Sequence, residues 1–273
     1  MNDPEPMNEE DLRPPCGASE APGADAPEPP PPEAEPEVFW GYGDLMLFAG
    51  LTVASVMFSL LLAKAAMAVF HLHAAGPVSV AVLLLAQMAG YAVLFGALRL
   101  MFHVQYDRPF WKSLGWAPLP VPAPYVVAAG AGTAMAAILA GAAIHLPQTE
   151  NQMSELLQQG TLALVLMTIF GVGIAPLCEE LAFRGFLQPL LARSFGAPAG
   201  ILMAGVAFGL LHFREYGNSW RHALLLSGAG ACFGWMRHAS KSTKASVVMH
   251  ASYNGLLFLL LAIALIAERN PHH

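Results

Sequence analysis

The stretch "CEELAFRGFL", residues 178–187, places Glu179, Glu180 and Arg184 inside a long apolar run, with "LALVLMTIFGVGIAPL" before it and "FLQPLL" after it. Where water is scarce a lone charge costs a few kcal/mol or more, so such residues are paired or used. Glu180 and Arg184 are four positions apart, share one face of a helix and can neutralise each other. Glu179 points about 100° away round the same helix and is left for chemistry. Two further apolar runs carry histidines. His212 ends "FGLLH", four residues after Phe208, and His250 opens "HASYN", four residues before Asn254. Three helices would thus present carboxylates, two imidazoles, a carboxamide and a guanidinium. That set can hydrolyse: a base to activate water, and donors for a developing oxyanion.

Such residues need elements that hold them away from water, and the composition supplies them. The chain has 273 residues, 56% hydrophobic and 12% charged, with a mean hydropathy of +0.51. Soluble domains carry about 25% charged residues. Apolar blocks of about 20 residues cross a bilayer as helices. They fall at 44–70, 78–102, 124–146, 161–191, 199–214, 220–237 and 246–267. The expected fold is all-α, a polytopic membrane bundle of about seven (six to eight) transmembrane helices. Trp40, Trp111, Trp116, Trp220 and Trp235 stand near the ends of these spans, where an amphipathic ring prefers to sit. Counting residues along the spans puts the site near mid-membrane, biased to the cytoplasmic side.

Three regions follow. Residues 1–37 hold 11 of the 19 acidic residues, one basic residue and 11 of the 22 prolines. The arm is therefore −10, and the rest of the chain +4 against a total of −6. Lacking an apolar face, it is expected to be disordered and partly polyproline-like. Neither a basic start nor an apolar h-region marks a signal peptide there. Residues 38–159 form the N-terminal transmembrane helices and 160–267 the core that carries the motifs. With the N-terminus inside, Arg13, Arg99, Arg108, Lys112, Arg193, Arg237, Lys241 and Lys244 share the inner side. Lys64, Arg214, Arg221 and Arg269 fall outside. This bias places the N-terminus in the cytoplasm and the C-terminus across the membrane.

Other reactive residues fit plainer roles. Cys16, Cys178 and Cys232 are too few and scattered for a disulfide framework. Cys178 reads as a small packing residue, because nothing singles out a base to deprotonate it. "LLSGAG" at 225–230 is not a G-x-S-x-G elbow and reads as a close-packing stripe. His71, His73, His103, His145, His222 and His238 lie near span ends and read as interfacial; His272 and His273 carry no signal.

"EELAFR", "FGLLH" and "HASYN" are an EExxxR, an FxxxH and an HxxxN motif in one order. In this they resemble the CPBP family of CAAX prenyl proteases of the type II class and bacteriocin-processing enzymes. The resemblance covers about residues 160–266, including "GACFGWMRHASKS" before the last motif. It implies a membrane-embedded endopeptidase. Glu179 and His212 would activate the water, and His250 and Asn254 would stabilise the tetrahedral intermediate. Glu180, Arg184 and Phe208 would support the site.

The family's common name is metalloprotease, but no HExxH string occurs here. A zinc held by Glu179, His212 and His250 is chemically possible. A metal-free glutamate mechanism needs no more residues than these and is the expectation. The substrate is expected to be a peptide or protein, the surroundings membrane lipid, with no nucleic-acid partner. The Ala/Gly/Pro-rich composition points to a bacterial inner membrane. A non-proteolytic scaffold or bacteriocin-immunity-type protein with the same fold is the alternative. All motif positions are filled, which favours the enzyme. A solute transporter would show repeats or broken helices in both halves.

Overall fold

The computed structural model describes residues 38–72, 76–146 and 160–269, with side chains described as far as residue 264. The expected arm at 1–37, His73, His272 and His273 lie outside them. All regular structure among the described residues is helical. The helices are α1 (Tyr42–Val69), α2 (Pro77–Tyr106), the single turn α3 (Phe110–Ser113) and α4 (Ala123–Ala143). Then come α5 (Thr161–Phe195), α6 (Ala197–Leu211), α7 (Trp220–Ser240) and α8 (Thr243–Arg269).

Five of these, α1, α2, α4, α5 and α8, are long and apolar enough to cross a membrane. The other two expected spans differ. Helix α6 has 15 residues, about 22 Å of rise, less than the roughly 30 Å of a bilayer core. Helix α7 has 21 residues but carries Arg221, His222, Arg237 and His238 within its end turns. These two helices pack on each other more extensively than any other pair. Gly205 and Gly209 of α6 lie against the backbone of Ser227, Ala231 and Ala223 of α7, with no room for a Cβ. The stripe at 225–230 is therefore a packing surface.

Helix α5 is not a uniform α-helix. It widens into π-helix at Phe170–Ile174 and again at Leu181–Leu187. Pro176 and Pro189 follow these segments by two residues. A proline lacks the N–H for the i−4 carbonyl and its ring clashes there, so the preceding turn must open. The segment between them, Ala175–Glu180, carries both glutamates. Wide turns of this kind recur at functional sites.

The core between α1, α2, α3 and α5 is aromatic, built on Trp40, Phe48, Phe102, Phe110 and Phe186. Trp40 is not an interfacial ring: it is 1% exposed and its Nε1–H donates to the Phe186 carbonyl at 3.1 Å. It stacks on Phe102 and Phe186. Proximity to a span end does not reveal that a ring turns inward. Trp111, Trp220 and Trp235 are well exposed, as an interfacial position requires.

Side-chain and backbone contacts sort the helix ends. Tyr42 Oη donates to Ser194 Oγ at 2.8 Å, and Tyr106 Oη to Asp44 at 2.7 Å. Thr243 N donates to the Gly115 carbonyl at 2.9 Å, and Ser242 Oγ to the Ala117 carbonyl at 2.7 Å. One end of the bundle thus gathers the start of α1, the ends of α2, α5 and α7, and the start of α8. Arg99, Arg108, Lys112, Arg193, Arg237, Lys241 and Lys244 all lie on these segments. Arg221, bonded to the His145 carbonyl at 3.1 Å, marks the other end. Along the outside, α1 exposes Met46, Val53 and Leu61, and α4 exposes Leu139. An apolar outer wall of this extent suits lipid, and the chain is an integral membrane protein by its helices.

Candidate active site

Connectivity brings the motifs to one level. Helices α5 and α6 form a tight hairpin at Gly196, whose φ of +83° suits glycine. Glu179 and His212 stand 17 and 16 residues from it, about 25 Å up either arm. A second pair of distances agrees. Gly185 of α5 and Thr243 of α8 both abut the Leu114–Gly115 turn. From there Glu180 lies about 8 Å and His250 about 10 Å inward.

Glu180 and Arg184 are both fully buried and meet at 2.8 Å through Nη1 and Oε1. Arg184 Nη2 donates to the Gly230 carbonyl on α7 at 2.7 Å. Its guanidinium lies over the rings of Phe208 at 4.9 Å, Phe233 at 5.5 Å and Phe183 at 5.6 Å. The same Oε1 of Glu180 takes a bond from His250 Nδ1 at 2.8 Å, and Oε2 takes one from Ser246 Oγ. Glu180 thus has three donors from two helices and no access to solvent. A buried carboxylate in that state is a structural hub.

Glu179 is placed differently. Its side chain is 20% exposed and faces a cavity of about 630 Å³. Its Oε2 lies 3.7 Å from His250 Nε2, beyond a hydrogen bond. His250 therefore sits between the two glutamates, its Nδ1–H committed to Glu180 and its Nε2 turned toward Glu179. Phe233 stacks on the imidazole, with centroids at 4.5 Å. Phe208 meets it edge-on at 5.6 Å and also touches the ring of His212 at 4.8 Å.

His212 caps the C-terminus of α6. Its Nδ1 lies 2.9 Å from the Phe208 carbonyl; a carbonyl only accepts, so Nδ1 carries the proton and Nε2 keeps its lone pair. Asn254 Nδ2 donates to the Gly171 carbonyl at 2.7 Å, tying α8 to the first π segment. One amide hydrogen of Asn254 remains. Glu179, Phe208, His212, His250 and Asn254 all line the one cavity. Glu180 and Arg184 lie behind it.

Several lining residues carry no motif. Tyr91 and Gln87 come from α2, and Glu215 and Tyr216 from the loop after His212. Burial, then the neighbouring Glu215 carboxylate, pushes the Tyr216 phenol above its ordinary range, so it stays a neutral donor. "FREYGN" offered no periodic signal for these two, because they lie past the helix end. Ser246, Gly230 and Phe233 also went unmarked; four residues separate Ser246 from His250, on one face of α8. Cys178 lines a different, apolar groove with Leu177 and Leu181.

A catalytic zinc needs three protein ligands at about 2.0–2.2 Å. Glu179, His212 and His250 do not make such a group, and no three His, Cys, Asp or Glu residues do among the described residues. The Nδ1 atoms of both histidines are held by protein acceptors, which leaves Nε2 on each as the nitrogen that could ligate a metal.

No curated protein and no solved structure matches the chain. The family model described as Type II CAAX prenyl endopeptidase Rce1-like matches residues 161–256, from the first residue of α5 to two residues past Asn254. This segment, about a third of the chain, contains all three motifs and is similar to the type II CAAX prenyl endopeptidase family.

Proposed function

We propose that the protein is an intramembrane endopeptidase in which Glu179 and His212 activate a water molecule against a peptide carbonyl. The family match supports a CAAX-type intramembrane protease. The observation that carries the finer reading is the division between the two glutamates. Glu180 is saturated by Arg184, His250 and Ser246, whereas Glu179 opens on the cavity, with His250 Nε2 at 3.7 Å from its Oε2.

In this reading Glu179 takes a proton from water as the hydroxide oxygen bonds to the carbonyl carbon. His212 Nε2, the free lone pair, accepts a second hydrogen bond from that water and orients it. The carbonyl oxygen becomes an anion and is met from α8 by the spare amide hydrogen of Asn254 and by His250 in its doubly protonated form, with Nδ1–H on Glu180 and Nε2–H on the oxyanion. Glu179 then passes its proton to the amide nitrogen as the C–N bond breaks. No step requires a metal. The substrate is a peptide or protein segment admitted from the bilayer, and the membrane is proposed to be a bacterial inner membrane with the N-terminus cytoplasmic.

Glu179→Gln keeps shape and loses the base. Purified enzyme with this change is expected to lose at least a hundredfold in cleavage rate, within the usual worth of a general base, while its detergent melting curve stays in place. Peptides that accumulate uncut in membranes of Glu179→Ala cells, compared with wild type by proteomics, would identify the substrate. Normal turnover by Glu179→Gln would remove this residue from the mechanism.

A further inference from the structure

A second groove lies outside the catalytic cavity, along the outer face of α2. Its upper part, about 450 Å³, is lined by Arg99, His103 and Arg108, with Phe110 and Trp111 beside them. Its lower part, about 360 Å³, runs between α2 and α5 past Met88, Phe95, Leu177 and Leu181. The two parts share Gly96, Arg99, Phe110 and Trp111, so they are one trough. The spacing makes it so: residues 88, 91, 92, 95, 96, 99, 100 and 103 form a single stripe at helical period. Ala92 and Gly96 are its floor, and a Cβ on Gly96 would meet nothing within 4 Å.

Polarity changes along the stripe. Below Gly96 the walls are apolar; above it come two arginines and a histidine. Arg108 rests at 5.8 Å over the Phe39 ring, and Arg99 is exposed at the trough. Asp107, almost fully exposed, is 4.0 Å from His103 Nδ1 and does not line the groove. From residue 88 to residue 96 the apolar part rises about 12 Å, the length of the upper half of one extended acyl chain. We infer that the trough binds an anionic membrane lipid, with its phosphate at Arg99 and Arg108 and one acyl chain running down α2 to Tyr91. Charge decides the occupant. A zwitterionic lipid leaves the arginines half-answered, a free phosphate has no use for the apolar part, and an apolar helix of a second copy would bury both arginines unpaired. Tyr91 also lines the catalytic cavity, so the acyl chain of the lipid abuts its wall.

The test uses the full chain, purified in mild detergent, with lipid retention read by native mass spectrometry. The probes are dioleoyl phosphatidylglycerol, dioleoyl phosphatidylcholine and sn-glycerol 3-phosphate. Phosphatidylglycerol is expected to be retained over phosphatidylcholine. Each basic residue near a membrane surface is worth about fivefold in affinity for anionic lipid. Arg99→Gln with Arg108→Gln should therefore weaken phosphatidylglycerol by at least tenfold. Lys244→Gln, at the same end but outside the groove, should leave it unchanged. Gly96→Leu should weaken it by filling the trough at constant charge. Equal retention of the two lipids, or an equal loss in Lys244→Gln, would overturn the site. So would glycerol phosphate binding as tightly as phosphatidylglycerol with Gly96→Leu silent, which would indicate a bare anion site. A dimer that forms across the groove and is lost in Gly96→Leu would overturn it in favour of a second copy.

Discussion

Glu179 and Glu180 are chemically identical neighbours with opposite surroundings. One helical step of about 100° sends Glu180 inward to Arg184 and leaves Glu179 at the cavity. Removing a partner from Glu180 should cost far more stability than altering Glu179. Arg184→Ala strands a buried carboxylate and frees the Gly230 carbonyl, and loss of one partner of a buried pair costs about 3–5 kcal/mol in soluble proteins. Ser246→Ala leaves one oxygen of Glu180 short of a donor, at about 1–3 kcal/mol. Melting in detergent is expected to fall in the order Glu179→Gln, Ser246→Ala, Arg184→Ala, with the last the least stable. Equal melting temperatures for Arg184→Ala and Glu179→Gln would sink the hub. Zinc belongs to this scale as well. Elemental analysis of active protein is expected to find well under one zinc per chain. Stoichiometric zinc, lost with activity on chelation and restored by adding it back, would make Glu179, His212 and His250 ligands after all.

Among the elements, the hairpin of α5 and α6 sets the geometry. Its arms are nearly equal, so the EExxxR and FxxxH motifs arrive opposite each other; α7 then clamps α6 through glycine contacts. Gly209 is the most confined of these, facing the Ala223 carbonyl and Ser227 one turn before His212. Gly209→Leu should push α6 from α7, displace His212 and cost about 1–3 kcal/mol or more by overpacking. Gly132→Ala on α4 meets open space and should be silent or slightly stabilising. Expression level and thermal melting of the two variants distinguish the cases, and a harmless Gly209→Leu would mean that α6 is free to move. The π segments also belong here. They place Gly171 where its carbonyl receives Asn254, a bond that depends on the wide turn before Pro176.

At the scale of the molecule, the described helices form a bundle with an apolar outer wall, and seven basic residues gather at one end. In the sequence, a segment of charge −10 precedes the first helix. Deleting residues 1–36 is expected to leave insertion and core activity intact, because no apolar run and no site residue lies there. Loss of activity in a truncation that still melts normally would make the arm part of the machine. Reporter fusions at the two termini are expected to score opposite sides of the membrane, with the N-terminus inside, as an odd number of crossings and the basic bias would give.

By itself the sequence determined much of this. Local periodicity and hydropathy are written residue by residue, so the helices, the Glu180–Arg184 pair and the three motifs were all readable from spacing. The same order of motifs carried the resemblance over about residues 160–266, within which the family model matches 161–256. Only the tertiary structure decided that His250 lies between the two glutamates and that Ser246 and Gly230 complete the hub. It also turned Trp40 inward and brought Tyr91, Glu215 and Tyr216 to the cavity. These are contacts between segments 30 to 150 residues apart, set by which helix packs on which. A 3.6-residue period says which face of a helix is apolar; it carries no information about the neighbour that face will meet.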